Sequence, residues 1–455
     1  MTSRSNLTRL SRLSPPAWRL DALDRRILAI AVPALGSLLV EPIYVLTDTA
    51  IVGRLGTFPL AGLALASTVL TTLVWVFNFL SYGTTVRVAV RRGRGDTAGA
   101  AADALQALWL STAIGLTVAA LIFLAARQLL SVLSDDPEVI EIAVTYLRIS
   151  AVGVPFQLVM IAATGYLYGL PDTTRPFVVA AGANLVNLVL ELVLVFVFHL
   201  GIAGSAWGTV IAQVLAAVAM LAIVVPRLRA DGLHRLVVVP SVMWAVMKVG
   251  GHLVQRTAFL LAALALATAT AGALGTDVLA GHQIAAQLFL FLAIGVDMFK
   301  VAGQSLVGHA LGAARPADAR EVVDHLRRWG WRVGSVLTVV VLVSSPVLPR
   351  LFSNDPAVVA EASTALVVLA IMQVPSGITF VLDGALMGAN DFRNLRWQTT
   401  LAFAASVPCF VVVRLHPSLG IAGVWFALLV WMCVRAARNS ARVRGDAWMR
   451  GAATV

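Results

Sequence analysis

The stretch Ile27–Val52, ILAIAVPALGSLLVEPIYVLTDTAIV, decides the reading of this chain. It is apolar and long enough to cross a bilayer, yet it holds two acids, Glu41 and Asp48, and two prolines, Pro33 and Pro42. An acid near the bilayer centre costs roughly 2.5–3.5 kcal/mol. A helix-interior proline removes a backbone hydrogen bond and gives the helix a place to bend. A span serving structure alone would avoid all four. The stretch therefore reads as a kinked membrane helix that holds an ionisable group in a protein-lined cavity, or as one whose Asp48 meets headgroup water at its far end.

The 455 residues are 59% hydrophobic and 13% charged, and the mean hydropathy of +0.88 is too high for a water-soluble globule. Apolar runs of about twenty residues predict twelve transmembrane helices, near 27–52, 59–83, 104–126, 141–169, 176–199, 203–225, 243–271, 278–299, 331–350, 361–388, 396–414 and 419–436. The fold class is an all-α polytopic membrane protein. With the N-terminus in the cytoplasm, 28 of the 34 Lys and Arg fall on that side, which sets both termini there. They include Arg4, Arg9, Arg12 and Arg19 at the start, Arg235 midway, and Arg435 near the end. The net charge of +11 is thus a topology signal spread over loops, and nucleic acid is excluded as a partner. No apolar segment precedes the first span, so no cleavable signal peptide is expected. Cys409 and Cys433 lie in apolar runs and read as small hydrophobes, without disulfide or metal chemistry.

An internal repeat organises the rest. LGTFPLAG at 55–62 returns as LGTDVLAG at 274–281, SDDP at 134–137 as SNDP at 353–356, and LGIAG at 200–204 as LGIAG at 419–423, all 219 residues apart. A six-helix unit has been duplicated. This predicts an N-terminal lobe at 1–225, a basic linker at 226–242, and a C-terminal lobe at 243–455, with a substrate cleft between the lobes. The repeat is also an internal control. Glu41 aligns with Leu260, Asp48 with Ala267, Asn187 with Ser406, Glu191 with Phe410, and Thr209 with Leu428. Chemistry that needs buried carboxylates belongs to the first copy.

Asn187 and Glu191, four residues apart, share one helix face. They form either an ion site, for a hard cation or a proton, or a hydrogen bond between helices. Glu41 shares a face with Asp48 and is either cavity-lining or a structural partner. Arg256 must find a carboxylate or carbonyl partner. Asp297 and Lys300 are expected to pair locally, with Arg148 and Lys300 snorkelling. Tyr44, Trp75, Phe77, Phe79, Phe156 and Phe289 are candidates for an aromatic cleft.

Several features together resemble the multidrug and toxic compound extrusion (MATE) family, in its DinF-like branch. They are Pro33 followed by Asp48-Thr49-Ala50 with Gly53, Leu55 and Gly56; the Asn187–Glu191 pair; Gly201-Ile202-Ala203-Gly204 with Ala206, Trp207 and Thr209; and the loop from Gly83 to Asp96. The resemblance implies an antiporter that exports amphipathic, often cationic organic compounds in exchange for H⁺ or Na⁺. It implies a cation-coupling site at Asp48, Asn187, Glu191 and Thr209, with Pro33 and Pro42 as the hinge. It also implies a monomer in the bacterial cytoplasmic membrane, with no cofactor beyond the coupling ion and no bound metal other than Na⁺ at those four residues. Glu191 stands where Asp is expected. A second branch couples at acids in the seventh and tenth spans, which here hold Arg256 and Asp383, so that site is half represented. Glu41, Tyr44, Arg256 and Asp383 are candidate cavity-lining residues.

The main alternative is a flippase for a lipid-linked or polysaccharide precursor, which needs a strongly cationic cleft; the spans offer Arg148 and Arg256. An enzyme is not expected, since the sequence has no HExxH, GxSxG or Cys–His constellation, and no GxxxxGK[ST] loop for a nucleotide. Reporter fusions test the topology: a fusion after residue 240 should report cytoplasm and one after residue 275 the opposite side.

Overall fold

In the computed structural model, which describes residues 20–233 and 237–454, the chain is helical almost throughout and no strand occurs among the described residues. Arg4, Arg9, Arg12, Arg19 and Arg235 lie outside the described residues. The helices are α1 (Ala22–Gly53), α2 (Thr57–Phe77), α3 (Phe79–Gly93), α4 (Thr97–Ser131), α5 (Pro137–Ala151), α6 (Val154–Gly169), α7 (Thr174–Leu192), α8 (Gly201–Ala230), α9 (Pro240–Leu274), α10 (Thr276–Gly312), α11 (Pro316–Ser344), α12 (Pro356–Gly388), α13 (Phe392–Leu415) and α14 (Gly420–Arg444). Among the described residues ten helical segments are each long and apolar enough to cross a membrane, α2 and α3 counting as one, and the pair α5/α6, bent by 50°, brings the number to eleven. The remaining expected segment, 331–350, falls on α11, whose first half is charged. The helices outrun the apolar runs at many ends because backbone hydrogen bonding continues after the hydrocarbon stops. Thus α8 extends to Ala230, through Pro226 and into the segment expected as linker.

The repeat is written into the backbone. Left-handed residues recur 219 apart, as Gly56 and Gly275, Gly95 and Ala314, and Gly201 and Gly420. Gly56 and Gly275, at φ +124° and +138°, sit at the sharp turns into α2 and α10, where a side chain would be strained. Asp136 and Asp355 each cap the following helix by accepting backbone N–H bonds, from Glu138 and Val139 and from Ala357.

Glycines let the helices approach. In α12, Gly384 and Gly388 face the carbonyls of Lys300 and Gln304 in α10; in α11, Gly330 and Gly334 face α12. Gly308 and Gly312 of α10 lie against Ala89 and Val90 of α3. These small-xxx-small pairs bring backbones together where apolar burial gives no drive, because the lipid tails are as apolar as the side chains. The α3–α10 contact joins the two halves at the end of the bundle that carries the described ends of the chain. There Asp24 of α1 accepts from Trp329 Nε1 (3.0 Å) and pairs with His325 Nδ1 (3.0 Å) of α11, and Arg94 donates to the Ala452 carbonyl. In the same region Asp96 caps α4; the Gly99 N–H, then Arg91, hold its carboxyl below the usual range.

A Cβ on Gly312 would lie 2.0 Å from the Val90 carbonyl oxygen, whereas one on Gly295 would meet open space. Gly312→Ala should therefore cost about 1–3 kcal/mol and lower the melting temperature of the detergent-solubilised protein, while Gly295→Ala should not.

Candidate functional site

Helices α1, α7 and α8 meet around a cavity of about 310 Å³ that opens among the first-half helices, with α10 supplying Asp297, Lys300 and Val301. Local structure brings the site together. Beyond Leu192 the chain widens into a π-helical turn, Val193–Val197, immediately after Glu191. Gly201, with φ +56°, then reverses the chain into α8. Gly208 lets α8 lie against the Glu191 backbone, where a Cβ would come within 3.2 Å of the Glu191 nitrogen.

All four residues expected to form the cation-coupling site are buried, and three of them, Asp48, Asn187 and Thr209, line the cavity. Asn187 Nδ2 donates to Thr209 Oγ1 (3.2 Å), and Thr209 Oγ1 donates to the Ser205 carbonyl (3.1 Å). Thr209 has a single hydroxyl proton, so Tyr44 OH, 2.9 Å away, must be the donor of its own bond to Thr209. Asp48 accepts from Ser205 Oγ (2.5 Å) and from Tyr146 OH (3.3 Å). Glu191 is fully buried, neither of its carboxylate oxygens has a hydrogen-bond partner among the described residues, and Asp48 and Ser205 stand beside it. Two acids thus share one buried space, with hydroxyl donors around them.

Ser205 and Tyr146 were not singled out in the sequence. The repeat could have found them, since Ser205 aligns with Val424 and Tyr146 with Ala365. In the second half, Ala267, Phe410 and Leu428, the counterparts of Asp48, Glu191 and Thr209, lie in an apolar core. Glu41 and Tyr44 line the cavity. None of the other five candidate aromatics does; the remaining aromatic lining is Tyr82, Tyr146 and Tyr168. Pro33 and Pro42 lie inside a continuous α1, whose Ile30 and Val40 carbonyls accept from Thr173 (2.8 Å) and from Asn184 of α7 (3.2 Å).

Arg256 and Asp383 do not line the cavity; that expectation is corrected. Arg256 donates to Asp383 Oδ2 (2.5 Å), Arg435 to the same oxygen (2.8 Å), and Asn439 to Asp383 Oδ1 (2.8 Å), all buried. A carboxylate so surrounded is fully occupied. Arg435, assigned by its sequence position to the terminal basic segment, is instead inside the bundle, between Phe380 and Trp431. The 219-residue counterparts of Arg256, Asp383 and Arg435 are Ser37, Thr164 and Ala216, and all three line the cavity. The space that is hollow in the first half is plugged by an ion cluster in the second. Lys300 does not snorkel either: it is buried, pairs with Asp297 (2.5 Å), and stands over the Tyr82 ring. Arg148 donates to the Phe123 carbonyl.

Removing one partner from a buried ion cluster leaves charge uncompensated, at about 3–5 kcal/mol. Asp383→Asn should therefore destabilise the protein by that order, seen as a lower melting temperature and reduced folded yield. Asp48→Asn, which removes a carboxylate from a carboxylate pair, should not.

The family model MatE matches residues 33–193 and 256–433. Protein DETOXIFICATION 44, chloroplastic, of Arabidopsis thaliana is 29% identical, over 91% of this chain and 81% of its own length. DNA damage-inducible protein F of Escherichia coli is 25% identical, over 91% of each. The fold matches the Vibrio cholerae MATE transporter VcmN in its bent form, with a TM-score of 0.86 at 19% identity, over 95% of this chain and 98% of that one.

Proposed function

The chain belongs to the MatE family, and from that premise we propose that it exports amphipathic, cationic organic compounds in exchange for H⁺ or Na⁺ bound at Asp48, Asn187, Glu191 and Thr209. At the level of the family it is a multi-pass membrane transporter. The proposed setting is the bacterial cytoplasmic membrane, with a monomer whose two six-helix lobes, 1–225 and 243–455, flank the cleft and whose termini are cytoplasmic.

One observation carries the reading: Asp48 and Glu191 share a buried space with no cationic side chain between them. Both ionised, they repel; one shared proton or one Na⁺ relieves this, with the oxygens of Asn187 and Thr209 as further ligands. Asp383 contrasts, since two arginines already neutralise it. The cavity also suits cations better than pyrophosphate: its one lysine is paired, and its other charged lining groups are carboxylates.

Coupling follows from α1. Pro33 and Pro42 free the carbonyls of Ala29 and Leu38, so the helix carrying Asp48 bends at low cost. Loading the ion favours a more bent α1, which narrows the first-half side of the cleft and expels the substrate; unloading restores binding. Ion and substrate then compete through helix shape.

In proteoliposomes, efflux of a fluorescent organic cation should follow an imposed pH step or an imposed Na⁺ step. Asp48→Asn should abolish the ion dependence while the protein stays folded, and a variant that kept it would refute the site. Pro33→Ala should bind substrate normally but with weakened ion dependence.

A further inference from the structure

Four charged side chains line the cavity: Glu41, Asp48, Asp297 and Lys300. Three are accounted for. Lys300 and Asp297 neutralise each other at 2.5 Å, and Lys300 is further held over the Tyr82 ring, 5.0 Å from its centroid. Asp48 is hydrogen-bonded by Ser205 and Tyr146 and faces Glu191. Glu41 is left over. Its side chain is accessible within the cavity, and among the described residues no hydrogen bond or ion pair engages it. A carboxylate at this depth in a membrane helix is costly unless something occupies it.

Placement separates it from the ion site. Glu41 and Asp48 are seven residues apart on one face of α1, which puts them about 10 Å apart along the axis. One small cation cannot bridge them. The cavity wall offers what an aromatic cation needs: Ser37 and Tyr44 one turn before and after Glu41, and Tyr168 from α6. The second half has no equivalent, because the repeat places Leu260 there, packed against an apolar core.

We propose that Glu41 is the substrate-recognition carboxylate: it binds the positively charged centre of an organic cation, leaving Asp48 and Glu191 to the coupling ion. The assignment rests on the exporter reading and makes Glu41 a specificity-determining residue. A neutral compound of similar shape would enter the same cavity without this contact.

The test uses the purified full chain in detergent, with ethidium as the cationic probe and Nile red as a neutral one, both followed by fluorescence polarisation. Loss of a charge-assisted contact should weaken ethidium binding to Glu41→Gln on the order of tenfold to a hundredfold. Glu41→Asp should recover part of it. Nile red affinity and the tryptophan-fluorescence response to Na⁺ or to a pH step should stay as in the wild type. Wild-type ethidium affinity in Glu41→Gln would overturn the assignment, as would an equal loss of both dyes, which marks a residue that only supports the fold. A wild-type protein that answers to ions but binds no organic cation would overturn the exporter reading itself.

Discussion

Two carboxylates in one buried space cannot both keep their charge without help, and the first half of this protein is built around that constraint. Asp48 comes from α1, Glu191 from α7, and the hydroxyl donors from α5 and α8. Each helix needs a local device to reach the site. The π-helical turn follows Glu191, Gly208 lets α8 close on α7, and Thr173 and Asn184 hold carbonyls of α1. The supporting bonds leave Glu191 without a donor. A carboxylate satisfied by the protein, as Asp383 is, has no reason to bind an ion.

The second half shows the opposite solution on the same frame. Asp383 has two guanidiniums and an amide. The positions that form a hollow in the first half are filled there, and those that form the acid site are apolar. Filling the counterpart of the hollow with tethered charges makes a packed joint of it. The glycine contacts of α10, α11 and α12 belong to the same strategy, close backbone approach in place of a cavity.

Much of this was legible in the sequence because apolar run length, charge bias and the 219-residue repeat each report a physical constraint on the whole chain. Asp48, Asn187, Glu191 and Thr209 stood out because polar residues in hydrocarbon are expensive, and the structure brings all four together. Ser205 and Tyr146 did not stand out, since hydroxyls are tolerated in membrane helices and carry no cost to notice. Arg256 has the carboxylate partner expected of it, in Asp383, but neither residue lines the cavity. Sequence shows that a buried charge needs a partner but does not show whether that partner is solvent, substrate or another side chain. Arg435, at the end of an apolar run, looked like a boundary residue; its depth becomes visible once Phe380 and Trp431 are seen to flank it.

The arginine-filled joint bears on how membrane voltage acts on the protein. Voltage does work on charge that crosses the bilayer, about 2.3 kcal/mol per elementary charge per 100 mV. Asp383 carries its countercharge permanently, so this cluster has nothing to load or release. On the proposed exchange, the charge that crosses is the difference between the coupling ion's charge and the substrate's. Exchange of a monovalent organic cation for one monovalent ion would be electrically silent, driven by concentration only. Exchange for two would let the resting potential drive export, and a neutral substrate would gain that drive from a single ion.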